Sequence, residues 1–221
     1  MIRKLTALFA LVLALGMAVM PAAAQDVNMD DASELGLEGG YMRIYMADPA
    51  SASTATTDLL GVMAAGFQFD SADSAETAFE DFSCGFAGGF MGAEDAKDCD
   101  GLVDAGFTVT DVDGMGDQAI EITGEADIAG PTPVTLLSIQ SDNYLFMVIT
   151  LGSDEPGSSD AIGAFLADAE PVDTEVDFSE DGTSTGGFFD MLPQDGDAEI
   201  DGLMPMTDMD FFGDAAGTPA S

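Results

Sequence analysis

Carboxylates are the side chains of this sequence best placed to do chemistry, and two short stretches bring several of them together beside glycines. TDVDGMGDQAIEI (residues 110–122) and KDCDGLVDAGF (97–107) each carry three aspartates. Hard cations such as Ca²⁺ bind six to eight oxygen ligands, commonly several carboxylates together with backbone carbonyls. One interpretation is therefore a Ca²⁺ site shared by the two stretches, with these ligands: Asp98, Asp100, Asp104, Asp111, Asp113 and Asp117.

The spacing of these aspartates does not fit the EF-hand calcium loop. That loop needs an aspartate at position 1, a glycine at position 6 and a bidentate glutamate at position 12. With Gly114 at position 6, Val109 and Ile120 fall at positions 1 and 12, and the other stretch places Ala96 and Phe107 there. We favour a turn between two strands, because glycine takes the positive φ angles of tight turns and aspartate bonds nearby amides. A weak cation site of another geometry is the alternative.

The net charge of the chain is strongly negative. Forty-two Asp and Glu residues stand against four Lys and Arg, and histidine is absent. After the first four residues only Arg43 and Lys97 are basic, which gives the rest of the chain a net charge of −40. Nucleic acids and anionic membranes are bound through Lys and Arg, so we expect neither as a partner. We interpret the acidic surface as adaptation to high salt, where cations screen the repulsion.

The N-terminal residues have the pattern of a secretory signal peptide over 1–24. Arg3 and Lys4 precede the apolar run LTALFALVLALGMAVM, and small residues lead up to Ala24. We expect cleavage after Ala24 and a flexible lead-in over 25–38. The mature protein is then secreted or periplasmic, in a bacterium, and is not inserted in a membrane after signal cleavage.

The two cysteines, Cys84 and Cys99, predict a disulfide. An even number of cysteines in an exported chain favours pairing, because disulfides persist in oxidising compartments. A loop of this length stabilises the fold by roughly 3 kcal/mol in the chain-entropy description. A zinc or redox site is not favoured, since there is no C-x-x-C motif and no histidine.

Residues 39–172 show the patterns of one α+β domain. The runs GGYMRIYMAD and LLGVMAAGFQFD predict two strands, and apolar residues spaced by three and four from Ala75 to Phe90 predict a helix. Glycines at 85, 88 and 89 weaken its second half, which favours an end near Cys84. Four more strands and a second helix follow: GFTVTDVD, QAIEITGEA, PVTLLSIQ, YLFMVITLG and DAIGAFLADAE. The order ββαββββα keeps strands and helices apart. It predicts an antiparallel sheet of about six strands with two helices packed on one face.

The remaining residues, 173–221, form an acidic, Gly- and Asp-rich tail. It carries three hydrophobic clusters, GGFFDMLP, GLMPM and MDFFGD. Acidic segments with apolar clusters occur in disordered regions that fold on a partner. The same clusters can instead dock onto the domain, and the sequence leaves both possibilities open.

One segment, within residues 105–170, resembles a known group of exported bacterial domains. It reads DVDGMGDQAIEI…LLSIQSDNYLFMVITLG…DAIGAFLADAE: a G-x-G-D-x-A turn, a strand, a hairpin with Asn at its turn, and a closing helix. The pattern is similar to the extracellular sensor domains of some bacterial serine/threonine kinases and to PsbP-like secreted lipoproteins. The resemblance implies an α+β sandwich that binds a ligand or partner and catalyses nothing.

The residue types present do not support the common catalytic arrangements. Serine and cysteine triads need histidine, and no phosphate-binding glycine motif is present. We therefore predict a non-enzymatic binding or interaction module, without a required cofactor, for an unidentified protein or small-molecule ligand. A calcium-responsive surface protein is the first alternative, and a carboxylate-dependent hydrolase is the second.

Overall fold

In the computed structural model, the described part of the chain forms a seven-stranded antiparallel sheet with helices on both faces. The structure describes residues 36–47, 61–93, 96, 98–127, 131–152, 158–169, 176–177, 184–194, 197 and 203–210. The predicted signal peptide, most of the predicted lead-in and parts of the predicted tail lie outside these residues. Within the described ranges, no helix is both long and apolar enough to cross a bilayer.

The described elements begin with two strands and end with a strand that lies at an edge of the sheet. The elements are β1 (Leu37–Ala47), β2 (Gly61–Phe69), α1 (Ala72–Met91), α2 (Cys99–Asp104), β3 (Thr108–Asp111), β4 (Gln118–Asp127), β5 (Pro131–Ser141), β6 (Tyr144–Leu151), α3 (Ser158–Ala167), a 3₁₀-helix (Gly187–Met191) and β7 (Leu203–Asp210). Across the sheet the order is β3-β4-β5-β6-β2-β1-β7, and each neighbouring pair is antiparallel.

Both faces of the sheet carry a hydrophobic core, because side chains along a strand point alternately to opposite faces. In β6, Leu145, Met147 and Ile149 pack in the core under α1 and α2. Phe146 and Val148 pack in the core under α3 and the 3₁₀-helix. All five side chains are buried. A strand covered on both faces has no polar side, which explains the continuous apolar run YLFMVITL.

The predicted α+β class is confirmed, and the predicted elements occur in the predicted order. The count of about six strands is corrected to seven in the described residues, the addition being β7 from the tail. The described α-helices number three, because α2 has only six residues and is too short to show an apolar period. The prediction that the helices pack on one face is wrong. Helices α1 and α3 cover opposite faces, since β5 and β6 are apolar on both sides.

Helices α1 and α2 are joined by a disulfide between Cys84 and Cys99, as the cysteine count predicted. Helix α1 is followed by its C-cap, Gly92, whose φ of +78° turns the chain back. The returning backbone then passes close to Gly88, where a Cβ would lie 2.7 Å from the carbonyl oxygen of Ala96. A glycine inside α1 thus permits the close approach that brings α2 beside it.

Two stretches of the predicted tail, 184–194 and 203–210, pack against the domain. The 3₁₀-helix places Phe188 over Gly66 of β2, where a Cβ would overlap the phenyl ring. Strand β7 pairs with β1, with a register shift beside Ile44. Of the two possibilities left open for the tail, these stretches adopt the docked one.

The guanidinium group of Arg43, on β1, forms a buried ion pair with Asp208 of β7. Arg43 is 1% exposed, and its Nε and Nη2 atoms donate to the two carboxylate oxygens of Asp208 at 2.8 Å each. Nη2 also donates to the carbonyl oxygen of Ser184 at 2.8 Å, and Cζ lies 5.2 Å from the ring centroid of Phe189. The charge is therefore paired and hydrogen-bonded, as a buried charge must be.

Candidate functional site

A cleft of about 340 Å³ lies between the first half of α1 and the β3–β4 pair, at one edge of the sheet. Its apolar lining is Phe79, Val109, Ala119 and Ile120, and the half-cystine Cys99 borders it. Its polar lining consists of these residues: Glu76, Thr77, Glu80, Asp111 and Gln118. Small-ligand sites are usually apolar with a few polar groups, and this cleft combines both kinds of side chain with the polar ones in excess.

Helix α1 supplies both apolar and acidic residues to the cleft because of its period. Phe79 is 4% exposed and packs in the core between helix and sheet. Glu76 and Glu80 are four residues apart, which places them on one side of the helix, and both are exposed. The Thr77 hydroxyl donates to the carbonyl oxygen of Asp73 at 2.8 Å. The helix thus brings two solvated carboxylates to a cleft that the buried Phe79 ring also lines.

Strands β3 and β4 supply the other wall through their register. Val109 lies opposite Ile122, and Asp111 lies opposite Ile120. Residues directly opposite in antiparallel strands point to the same face, and both isoleucines belong to the core under α1. The side chains of Val109 and Asp111 therefore lie on the α1 face and form the outer margin of the cleft.

The cleft carries negative charge. Glu76, Glu80 and Asp111 line it, no basic residue does within the part of the chain that the structure describes, and all three acidic side chains are exposed. A cation placed among like charges relieves their mutual repulsion, most strongly where water is partly excluded. The cleft is therefore suited to a positively charged group that sits beside an apolar surface.

A hydrolytic carboxylate pair finds less support in this geometry. Glycosidases that use two carboxyl groups keep one in an apolar pocket, so that it stays protonated and acts as the acid. Glu76, Glu80 and Asp111 are all exposed, so none has such an environment. The arrangement favours binding over general acid catalysis.

The aspartates of residues 97–107 serve helix α2. Asp98 is its N-cap, and its Oδ1 accepts a hydrogen bond from the N–H of Gly101 at 2.8 Å. Asp100 lies in the first turn, where negative charge is favourable beside the helix N-terminus. Asp104 is exposed at the last position of α2. Asp98 and Asp100 thus have a structural explanation.

Residues 110–122 contain the turn between β3 and β4 that we favoured from the sequence. Gly114 and Gly116 have φ angles of +83° and +56°. The Oδ2 atom of Asp117 accepts a hydrogen bond from the backbone N–H of Asp142 at 2.9 Å, which ties this turn to the β5–β6 hairpin. Glycine conformation and aspartate hydrogen bonding therefore account for the pattern.

The remaining two aspartates of the predicted cation site are Asp111, at the margin of the cleft, and Asp113, exposed in the turn. In the part of the chain that the structure describes, no three acidic or cysteine side chains are grouped so as to hold a metal ion. The cation site stays a prediction, and this arrangement does not favour it.

Sequence reasoning did not single out Glu76 and Glu80 as site residues. Their spacing of four residues beside the phenylalanine stripe was visible, but glutamates in such positions usually form the solvated side of an amphipathic helix. They become part of a site because β3 and β4 lie under that side of α1. This placement depends on the strand order, which the local pattern does not contain.

Comparisons of the chain with known protein families, curated protein sequences and solved structures found no match. The resemblance of residues 105–170 to PsbP-like and kinase-associated sensor domains thus stays a prediction. The geometry of the cleft is the basis for assigning a function.

Proposed function

We propose that this protein is a secreted, non-enzymatic binding module whose cleft holds a ligand with a cationic group beside an apolar part. The observation that carries the proposal is the juxtaposition of Phe79 and Ile120 with three carboxylates in one recess. Phe79 and Ile120 are themselves buried, so the apolar part of such a ligand gains chiefly by covering the half-buried Val109, and its cationic group meets the carboxylates. The resemblance to extracellular sensor domains that the sequence predicts for residues 105–170 agrees with a binding role.

Two features support secretion. The N-terminal residues have the pattern of a signal peptide with cleavage after Ala24. Cys84 and Cys99 are paired, and structural disulfides persist in oxidising compartments outside the cytosol. We ascribe the high acidity of the remaining surface to a salt-rich environment rather than to the ligand.

The proposal is tested by following backbone amide resonances during titration with phenethylamine, which joins an ammonium group to a phenyl ring. Phenethyl alcohol is the neutral control of the same shape. We expect saturable shifts at Thr77, Val109 and Gln118 with the amine, and much smaller shifts with the alcohol. If the amine produces no saturable shift at these residues, the proposed function is wrong.

A pair of charge-matched variants assigns this binding to the cleft. Glu76→Gln with Glu80→Gln removes two cleft charges and should weaken amine binding by about fivefold to tenfold. Asp160→Asn with Asp168→Asn removes two exposed charges at α3, on the opposite face, and should leave the affinity nearly unchanged. Equal weakening by both pairs would assign the binding to net charge instead.

A further inference from the structure

Strand β3 is the outermost strand at one edge of the sheet, and its outward backbone groups can be identified. The N–H of Val112 donates to the carbonyl oxygen of Ala119 at 2.9 Å, which makes these opposed residues a hydrogen-bonded pair. Such pairs alternate with non-bonded pairs along an antiparallel ladder. The N–H and C=O groups of Val109 and Asp111 therefore point away from β4. Within the described residues, no strand pairs with this edge.

The open edge and the cleft share the same two residues. Val109 and Asp111 line the cleft with their side chains and present their backbone groups at the edge. A strand added beside β3 would lie about 4.8 Å away. Its side chains opposite these two residues would point to the α1 face, at the mouth of the cleft. Unpaired edge strands are ready templates for a strand of another chain.

We propose that this edge accepts an extended antiparallel segment of a partner protein, with an apolar residue opposite Val109 and a Lys or Arg opposite Asp111. These two partner residues are separated by one position, so both face the cleft. The apolar side chain covers Val109 and the cleft entrance, and the basic one meets Asp111 and the α1 carboxylates Glu76 and Glu80. The inference rests on the proposed function, since it names the kind of partner that the same cleft binds.

Charge complementarity points to a different protein and not to a second copy of this chain. Beyond its first four residues the chain has Arg43 and Lys97 as its only basic residues, against 42 acidic ones. Arg43 is buried in its ion pair with Asp208. Two chains of this net charge repel each other, and the described strands offer no exposed basic residue to place opposite Asp111.

Three synthetic peptides of equal composition and charge test the inference. In TVTKTVTKT, valine and lysine alternate with threonine and share one face of a strand. In TVKTTVKTT, valine and lysine fall on opposite faces. The third peptide has the first sequence with N-methyl groups on its valines and lysines, which removes the N–H groups that would pair with β3. Each is titrated into the folded protein, in salt at which circular dichroism shows native structure, and binding is followed by calorimetry.

We expect TVTKTVTKT to bind and the other two peptides to bind at least about tenfold more weakly. Glu76→Gln with Glu80→Gln should weaken the binding of TVTKTVTKT, whereas Asp160→Asn with Asp168→Asn should not. Equal affinity for all three peptides would show general charge attraction and overturn the inference.

Failure of the inference is distinguishable from failure of the proposed function. If no peptide binds at concentrations up to about 1 mM while phenethylamine still shifts the cleft resonances, strand addition is wrong and the cleft is a small-ligand site. If neither the amine nor the peptides bind, the proposed function and the inference are both wrong.

Discussion

At the scale of single residues, Arg43 is the charge on which the attachment of β7 depends. Replacing it with methionine, Arg43→Met, leaves the Asp208 carboxylate buried without its cation. We expect this to lower the free energy of unfolding by about 3–5 kcal/mol, since an uncompensated buried charge costs far more than a lost surface pair. Urea unfolding followed by circular dichroism measures the loss.

A double variant separates the ion pair from the packing around it. Arg43→Met combined with Asp208→Leu removes both charges and keeps most of the volume. We expect the double variant to be more stable than Arg43→Met alone, because no charge is then left without a partner. The single variant Asp208→Leu completes the comparison. If the double variant loses as much free energy of unfolding as Arg43→Met and Asp208→Leu together, the two residues contribute independently.

Tyr45 gives the protein a dependence on alkaline pH. Its side chain is fully buried, its hydroxyl donates to the carbonyl oxygen of Pro193 at 3.1 Å, and burial raises the pKa of that hydroxyl well above its usual value. Because this pKa is higher in the folded state than in the unfolded state, the stabilisation is complete below about pH 10. It is lost as the pH rises further and the unfolded chain ionises first.

We therefore expect the free energy of unfolding to fall above about pH 10, and the fall to be smaller in Tyr45→Phe. Tyr41 is the comparison, since burial and the nearby charge of Asp210 raise its pKa as well, but the side chain is only half-buried. Tyr41→Phe should reduce the alkaline loss less than Tyr45→Phe does. Chemical unfolding at a series of pH values measures this loss. If the free energy of unfolding falls as steeply with pH in Tyr45→Phe as in the parent, other groups cause the loss.

At the scale of elements, Gly66 fixes the place where the 3₁₀-helix docks. A Cβ at Gly66 would overlap the Phe188 ring, so Gly66→Ala should destabilise the protein by about 1–3 kcal/mol through overpacking. Gly85→Ala is the matched control in α1, where a Cβ meets no atom within 4 Å. It should stabilise by about 0.5–1 kcal/mol through helix propensity. Thermal unfolding of both variants would contradict this account if Gly66→Ala were as stable as the parent.

Elements with a clear period could be predicted from the sequence, and their arrangement in layers could not. The stripe from Ala75 to Phe90 and the alternation in β1 are local signals, and both elements form. The helix continues to Met91, so the end near Cys84 that its glycines suggested is wrong. The run GLMPMTDMD contains Pro205, which reads as irregular chain, yet an edge strand such as β7 tolerates proline. Nothing local relates Arg43 to Asp208, whose separation of 165 residues is bridged only by the fold.

The candidate site was predictable only in fragments. Asp111 was named from its aspartate-rich stretch, but the property that matters is its position at the sheet edge beside α1. Glu76 and Glu80 lie on the solvated side of a helix until β3 and β4 are placed next to it. The site is a product of strand order, and strand order is set by non-local pairing that periodicity does not encode.

At the scale of the whole molecule, the net charge makes stability depend on salt. Screening of surface repulsion grows with ionic strength whichever monovalent cation supplies it. We therefore expect the melting temperature of residues 25–221 to rise similarly in molar NaCl and molar choline chloride. About 1 mM CaCl₂ should have little effect compared with chelator alone. A large, saturable stabilisation by Ca²⁺ would contradict this, and would favour a calcium-responsive protein.

The ion pair between β1 and β7 also sets when folding can finish. A polypeptide that has emerged only as far as β6 lacks the groups that bury and pair Arg43, because Ser184, Phe189 and Asp208 all follow later in the chain. The sheet therefore stays incomplete until nearly all of the described chain has been synthesised. We expect stalled nascent chains to become protease-resistant only once β7 has left the ribosome. If the protein is secreted as we propose, such a delay keeps the chain unfolded enough to be exported.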